Sequence, residues 1–162
     1  MSEAGIGVIG GTGLYQLEGL KNMHEVFPDT PFGKPSDIIV TGTLDGVNVS
    51  FLPRHGRGHI LSPSEIPYRA NIYALKSLGV ERIIAVSAVG SLREDIHPLD
   101  MVIPNQLIDR TKARTSTFFG NGIVAHVGFA EPFCWELREI LHLGAQKAGA
   151  SVHPQGTYVV IE

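Results

Sequence analysis

The stretch RIIAVSAVGS, residues 82–91, decides the fold class of this chain. Its first half, 82–86, is a short continuous apolar run, which predicts a strand buried on both faces and the clearest buried strand of the sequence. Its second half, 87–91, combines small side chains with a glycine and predicts a loop at the carboxyl end of that strand. Ligands of open α/β sheets bind at that edge, although an ordinary turn is the alternative for this stretch taken alone.

Segments on both sides of this stretch alternate between strand and helix patterns. Helices are predicted over about 64–78 and 131–148, where apolar residues recur at helical spacing and Gly79 and Gly149 supply the stops. Further strands are predicted at 6–9, 37–44, 47–52, 101–108 and 157–162, with Asp45-Gly46 as a hairpin turn between two of them. This alternation, with apolar strands, predicts an α/β fold in which helices flank a sheet.

Composition and charge exclude several classes of function. The chain has 162 residues and a net charge of -3, so it offers no general attraction for nucleic acid or acidic membranes. Its one cysteine, Cys134, precludes an intramolecular disulfide and favours a reducing compartment. We expect a buried structural thiol there, because Cys134 adjoins Phe133 in the second predicted helix. No signal peptide or bilayer-spanning run is visible, and we expect a cytoplasmic protein.

The glycine run Gly10-Gly11-Thr12-Gly13 follows the first predicted strand. Successive glycines allow backbone N–H groups to converge on an anion, and the hydroxyl of Thr12 adds a donor. The run lacks the Gly-Lys-Ser/Thr of a Walker loop, and Gln16 occupies the third glycine position of a dinucleotide fingerprint. Anion binding and a simple tight turn both remain open for this run alone.

The segment RHGRGH, residues 54–59, follows another predicted strand and places two arginines and two histidines in six residues. The guanidinium of Arg54 can bind phosphate in a bidentate manner, and the imidazole of His55 can donate a further hydrogen bond. A metal site is disfavoured because no cysteine lies nearby and no carboxylate lies between the histidines. A solvated basic loop remains the main alternative, and the overall charge disfavours a nucleic-acid patch.

Three anion signals therefore each follow a strand, so their loops can cluster along one edge of the sheet. Together, the glycine run, the Arg54-His55 pair and Ser87 predict a site for an oxyanion, most simply phosphate.

Seven motifs extend this hypothesis. They are GVIGGTGL at 7–14, TPFGKPSD at 30–37, FLPRHGRGH at 51–59, YRANIYALKSLG at 68–79, VSAVGSLRE at 86–94, QLIDRT at 106–111 and AEPFC at 130–134. In these motifs the chain resembles the methylthioadenosine phosphorylases of the purine nucleoside phosphorylase family. The resemblance covers essentially the whole chain in order.

The resemblance implies a purine nucleoside phosphorylase-like mixed twisted sheet flanked by helices, and phosphorolysis of methylthioadenosine to adenine and methylthioribose 1-phosphate. It implies cytoplasmic homo-oligomers, as trimers or dimers of trimers, with phosphate and a purine nucleoside as substrates and with neither a metal nor an organic cofactor. By match to the motifs, phosphate would bind Thr12, Arg54, His55, Ser87 and the backbone of Ala88. Val89 and Gly90 would line the nucleoside pocket, and His126 would reach into a neighbouring subunit's methylthio pocket.

The sequence ends on its last predicted strand, whereas the family continues beyond it. We therefore expect 1–162 to be a single phosphorylase domain, truncated at the C-terminus, without the base-binding portion and its leaving-group carboxylate. No catalytic residue is identified in the chain, which is expected to bind phosphate but not to turn over substrate. Purine nucleoside or methylthioinosine phosphorolysis remains an alternative, as does a non-catalytic fragment that serves as an oligomerisation or binding module.

Overall fold

The central sheet of the computed structural model, which describes residues 5–11 and 18–162, has five strands and is mixed. Its strands are β1 (Gly5–Gly10), β2 (Lys21–Val26), β3 (Ile39–Leu44), β4 (Val47–Pro53) and β5 (Val80–Ala85), and helix α1 (Tyr68–Ser77) precedes β5. In the sheet they lie in the order β2-β3-β4-β1-β5. Strand β1 pairs in parallel with β4 and β5, and β3 is antiparallel to β2 and β4. The predicted mixed sheet with flanking helices is confirmed.

The chain divides into two compact units. The first comprises Met1–Ala88 and Thr115–Phe118, and the second comprises Val89–Arg114 and Phe119–Glu162. The single domain expected over 1–162 stays a prediction.

The core of the first unit lies on both faces of the sheet, because successive strand residues point to opposite sides. Leu52 packs on one face with Leu75 of α1, in a cluster that also contains Ile9, Ile39, Ala74 and Val80. Its neighbour Phe51 packs on the other face with Val40 and Val49. This alternation fixes the register of β4 and therefore the point at which the strand ends.

The Asp45-Gly46 hairpin is confirmed between β3 and β4, and both residues have positive φ angles, of 47° and 83°. A two-residue turn of this kind matches the twist of the strands that it joins.

Helix α1 begins later than the sequence predicted, at Tyr68 rather than near residue 64. Pro67 is the reason, because a proline disfavours helical backbone at the residue before it. Ser62 and Glu65 form a separate turn before the helix, in which the Glu65 carboxylate accepts hydrogen bonds from the Ser62 N–H (2.9 Å) and Oγ (2.6 Å). The stop at Gly79 is confirmed, with φ at 84°.

Strand β5 differs from its prediction in burial. It lies at the edge of the five-stranded sheet, and Glu81, Arg82 and Ala85 are exposed. The apolar run predicted a strand correctly, but burial on both faces depends on neighbouring elements that periodicity does not reveal.

The second unit contains two short parallel pairs and one helix. Strand β6 (Met101–Val102) pairs with β8 (Val152–His153), and β7 (Gln106–Asp109) pairs with β9 (Thr157–Val160). The single strand predicted over 101–108 is therefore wrong. Pro104 separates β6 from β7, because a proline cannot donate a hydrogen bond to a ladder, and the two halves have different partners.

Helix α2 (Trp135–Lys147) starts four residues after the predicted position, beyond Pro132, and ends before Gly149 as predicted. None of its residues is buried. The expected burial of Cys134 is wrong, because this thiol is exposed at the N-terminal cap of α2. Within the described residues, neither helix has the length and apolar character needed to cross a bilayer.

Candidate functional site

Three parallel strands of the first unit's sheet end side by side. We call the place where they end, at Gly10, Pro53 and Ala85, the strand-end edge. Gly10, the last residue of β1, is the register partner of Pro53 at the end of β4, and Ile9 is the partner of Ala85 at the end of β5. Parallel strands present their carboxyl ends at the same edge, so the loops after β4 and β5 each begin one strand spacing from the loop after β1.

Backbone hydrogen bonds continue across this edge into the loops. The Arg54 N–H donates to the Gly10 carbonyl at 2.9 Å, and the Val86 N–H donates to the Ile9 carbonyl at 2.8 Å. The three strands therefore end together as predicted, and the convergence of their loops on one anion stays a prediction. Gly11 is described and exposed, whereas Thr12 lies outside the described residues.

Arg54 and His55 are joined side chain to side chain. The Arg54 Nε–H donates to His55 Nε2 at 3.2 Å, and His55 Nδ1 lies 2.8 Å from the Leu61 carbonyl. A carbonyl can only accept, so Nδ1 carries the ring proton and Nε2 is the acceptor. In this arrangement both ring nitrogens are engaged within the loop, and the ring orients Arg54. Direct donation from His55 to phosphate stays a prediction.

The loop after β4 is compact because it turns back on itself. The Leu61 N–H donates to the His55 carbonyl at 3.0 Å, and the rings of His55 and His59 stack with centroids 4.2 Å apart. Gly56, Gly58 and His59 all have positive φ, between 57° and 80°. Glycine adopts this backbone at no steric cost, which explains the glycine alternation of the RHGRGH segment.

Arg57 contacts residues other than those that Arg54 contacts. Its guanidinium lies 2.7 Å from a Glu25 carboxylate oxygen and 3.7 Å from one of Asp37, and its backbone N–H donates to Asp37. Arg57 also lines an open cavity of about 280 Å³ with Met23, His24, Glu25 and Val40. The two arginines of RHGRGH are thus separated in role, and only Arg54 is bonded at the strand-end edge.

The remaining first-unit residues of the predicted site follow β5 directly. Ser87 and Ala88 are both exposed residues. Arg54 is half-buried and follows β4, which is separated from β5 by β1 alone.

The residues predicted to bind the nucleoside belong to the second unit. Val89 is 59% exposed, Gly90 has open space where a Cβ would be, and His126 is exposed. Their nucleoside-binding roles stay predictions.

No group of three His, Cys, Asp or Glu side chains that could hold a metal ion occurs within the described part of the chain. The Asp100 carboxylate accepts a hydrogen bond from His153 Nε2 at 2.9 Å.

Comparison with known proteins identifies the family. The sequence profile of the phosphorylase superfamily matches residues 5–162. The chain belongs to the phosphorylase superfamily. The resemblance predicted from the seven motifs is confirmed.

Relatives of this phosphorylase-superfamily chain are S-methyl-5'-thioadenosine phosphorylases. That of Geobacter sulfurreducens is 61% identical over 158 residues, which cover 97% of this chain and 55% of the relative. That of Chloroflexus aurantiacus is 61% identical over 163 residues, which cover all of this chain and 57% of the relative. The chain therefore spans little more than half the length of these relatives.

Solved structures of the superfamily share the fold. A methylthioadenosine phosphorylase from an antarctic soil metagenomic library has a TM-score of 0.95 at 58% identity, over 98% of this chain and 56% of that one. A variant of the adenosine/methylthioadenosine phosphorylase of Schistosoma mansoni, in complex with adenine, has a TM-score of 0.92 at 39% identity, over 98% and 62%.

Sequence reasoning missed two polar residues behind the strand-end edge, Ser36 and Asn71. Asn71 is only 3% exposed and lies on the buried face of α1 with Ala70, Ala74 and Leu75. The signal was available, because a polar residue within an apolar helical stripe requires a hydrogen-bond partner.

Proposed function

We propose that this protein catalyses the phosphorolysis of 5'-methylthioadenosine to adenine and 5-methylthioribose 1-phosphate. The observation that supports the proposal most directly is the alignment of three strand-end loops at one sheet edge, with Arg54 bonded to Gly10 and Val86 bonded to Ile9. The names of the relatives supply the nucleoside.

Phosphate is proposed to bind Arg54, His55, Ser87 and the backbone of Ala88, together with Thr12. An arginine with its Nε–H held by His55 presents its terminal amino groups as a planar pair of donors that suits a phosphate dianion. Exposed hydroxyl and backbone donors after β5 would contact the anion from the neighbouring strand end.

This anion has two roles in the proposed reaction. The bond between the ribose and the purine breaks with its electron pair leaving on the base, which generates an oxocarbenium-like ribosyl cation. Phosphate held beneath the anomeric carbon stabilises that cation and then forms the new carbon–oxygen bond. The proposal requires neither a metal nor an organic cofactor.

Val89, Gly90 and His126 are proposed nucleoside contacts, with His126 acting in a neighbouring subunit of a cytoplasmic homo-oligomer. These assignments depend on the motif resemblance, as does the trimeric or dimer-of-trimers assembly.

Titration with inorganic phosphate tests the site on the chain itself. Arg54→Ala is expected to weaken phosphate binding by roughly tenfold to a hundredfold, because it removes charge-assisted hydrogen bonds. Arg82→Ala is the matched control, since it removes the same charge from an exposed position on β5 of the same sheet. Equal phosphate affinity in the two variants would contradict the site.

Adenine release tests the reaction. Incubation with methylthioadenosine and phosphate, compared with inosine and phosphate, is expected to give phosphate-dependent release of adenine in the complete protein and no comparable release of hypoxanthine. A preference for inosine would replace methylthioadenosine with a purine nucleoside as the substrate.

A further inference from the structure

The peptide group between Pro53 and Arg54 is fixed on both sides. Its N–H, from Arg54, donates to the Gly10 carbonyl at 2.9 Å. Its carbonyl, from Pro53, accepts from the Gly56 N–H at 3.2 Å and from the Ser36 hydroxyl at 3.1 Å. These bonds set the plane of the peptide from which the Arg54 side chain leaves the sheet.

Ser36 is itself held by Asn71 of helix α1. The Ser36 N–H donates to Asn71 Oδ1 at 2.8 Å. The Ser36 hydroxyl also lies 3.1 Å from this oxygen, and its single proton is shared between Asn71 Oδ1 and the Pro53 carbonyl. Asn71 is almost completely buried, so this amide is aligned by the packing of α1 against the sheet rather than by solvent. A buried polar group with satisfied hydrogen bonds is a rigid support.

The loop after Arg54 lies directly against Ser36. A Cβ added to the buried Gly56, whose φ is 74°, would lie 3.1 Å from the Ser36 carbonyl oxygen. Such a distance is tighter than ordinary van der Waals contact, so the close approach depends on a glycine.

We infer that Ser36 and Asn71 are positioning residues for the anion site, acting through the Pro53 carbonyl on the orientation of Arg54. The inference rests on the proposed phosphate-binding function of Arg54. Pro53 has no N–H, so its carbonyl is the backbone group through which the end of β4 can be held on that side. A ligand-binding side chain needs such support, because small errors in its direction weaken the contacts it makes.

The test compares Ser36→Ala with Ser36→Thr by calorimetric titration of inorganic phosphate into the chain. Ser36→Ala is expected to weaken phosphate binding by about fivefold, which corresponds to the loss of one ordinary hydrogen bond. Ser36→Thr keeps the hydroxyl and is expected to restore the affinity. If Ser36→Ala does not fold, Ser36→Cys replaces it, because a thiol is a weak donor.

Ser77→Ala is the control for a merely structural role. It removes another serine hydroxyl that donates to a backbone carbonyl, at 2.8 Å to Ala74, within the same helix α1. Ser77→Ala is expected to leave phosphate affinity unchanged. If Ser36→Ala behaves in the same way as Ser77→Ala, the inference is wrong while the proposed function stands.

Amide hydrogen exchange separates failure of the inference from failure of the proposed function. Wild-type protein that does not bind phosphate, or binds it as weakly as Arg54→Ala, contradicts the proposed function. The exchange test does not depend on phosphate binding. Ser36→Ala should accelerate hydrogen exchange at the Arg54 amide and leave the exchange rate of the Val86 amide unchanged, because only the Arg54 amide belongs to the Pro53–Arg54 peptide. Unchanged exchange at Arg54 would overturn the positioning role.

Discussion

The two units of the chain differ in how they are held together. The first unit has a core on both faces of its sheet, with Ile39, Ala74 and Leu75 fully buried. In the second unit, Ile103 is the only buried apolar residue among those described, and α2 buries none of its residues.

Hydrogen bonds to two carboxylates connect distant parts of the second unit. The Asp100 carboxylate accepts from the His97 N–H at 2.9 Å and pairs with His153. The Glu162 carboxylate accepts from the backbone N–H groups of Lys112 and Ala113, at 2.8 and 2.9 Å. The described residues proposed to bind phosphate therefore lie in the unit with the larger buried core, and three predictions test the difference between the units.

The largest expected effect is on leucines of the two helices. Leu75→Ala in α1 should lower the free energy of unfolding by about 2–5 kcal/mol, because it leaves a cavity under the sheet. Leu143→Ala in α2 should change it by less than about 0.5 kcal/mol, because Leu143 is 57% exposed. Urea unfolding followed by circular dichroism measures both. Similar losses in the two variants would remove the contrast between the units.

Glycine-to-alanine substitutions should change the free energy of unfolding in opposite directions in the two units. A Cβ at Gly7 of β1 would lie 2.9 Å from Val80 Cγ1, so Gly7→Ala should destabilise by about 1–3 kcal/mol. A Cβ at Gly144 of α2 meets nothing within 4 Å, so Gly144→Ala should stabilise by about 0.5–1 kcal/mol through helix propensity. Thermal unfolding distinguishes the signs, and a loss at Gly144 would reveal a close contact on that face of α2.

The smallest expected effect concerns pH and Asp100. Hydrogen bonds from His153, Ser151 and the His97 backbone hold the pKa of the Asp100 carboxyl well below its usual range. A lowered pKa in the folded state stabilises the protein above the unfolded pKa, about 3.9, and this contribution is lost as the pH falls further. Asp100→Asn should therefore be less stable than wild type at pH 6 and should lose less on acidification.

Fluorescence of Trp135, the single tryptophan, reports the urea midpoint from within the second unit. Asp29→Asn is the control, because it removes an exposed carboxylate from the first unit. Equal acid sensitivity of Asp100→Asn and wild type would show that another group governs the pH response.

Turns and helix ends were predicted correctly from local sequence where the backbone conformation allows only a few residue types. Asp45-Gly46 and Gly79 adopt positive φ as predicted, because few residue types tolerate that region. Proline positions explain the errors: Pro67 delays α1, Pro104 divides the strand predicted over 101–108, and Pro132 precedes the late start of α2. Burial was predicted less well, since the exposure of β5 and Cys134 depends on which elements lie beside them.

The sequence by itself predicted that three strands would each be followed by a loop suited to an anion, because glycines, an arginine and a serine follow apolar runs. It also carried enough motifs to identify the superfamily. Only the tertiary structure decided that β1 lies between β4 and β5, that Arg54 rather than Arg57 is bonded at their common edge, and that Ser36 and Asn71 support it. These outcomes depend on contacts between residues far apart in the chain, and local patterns do not encode such pairings.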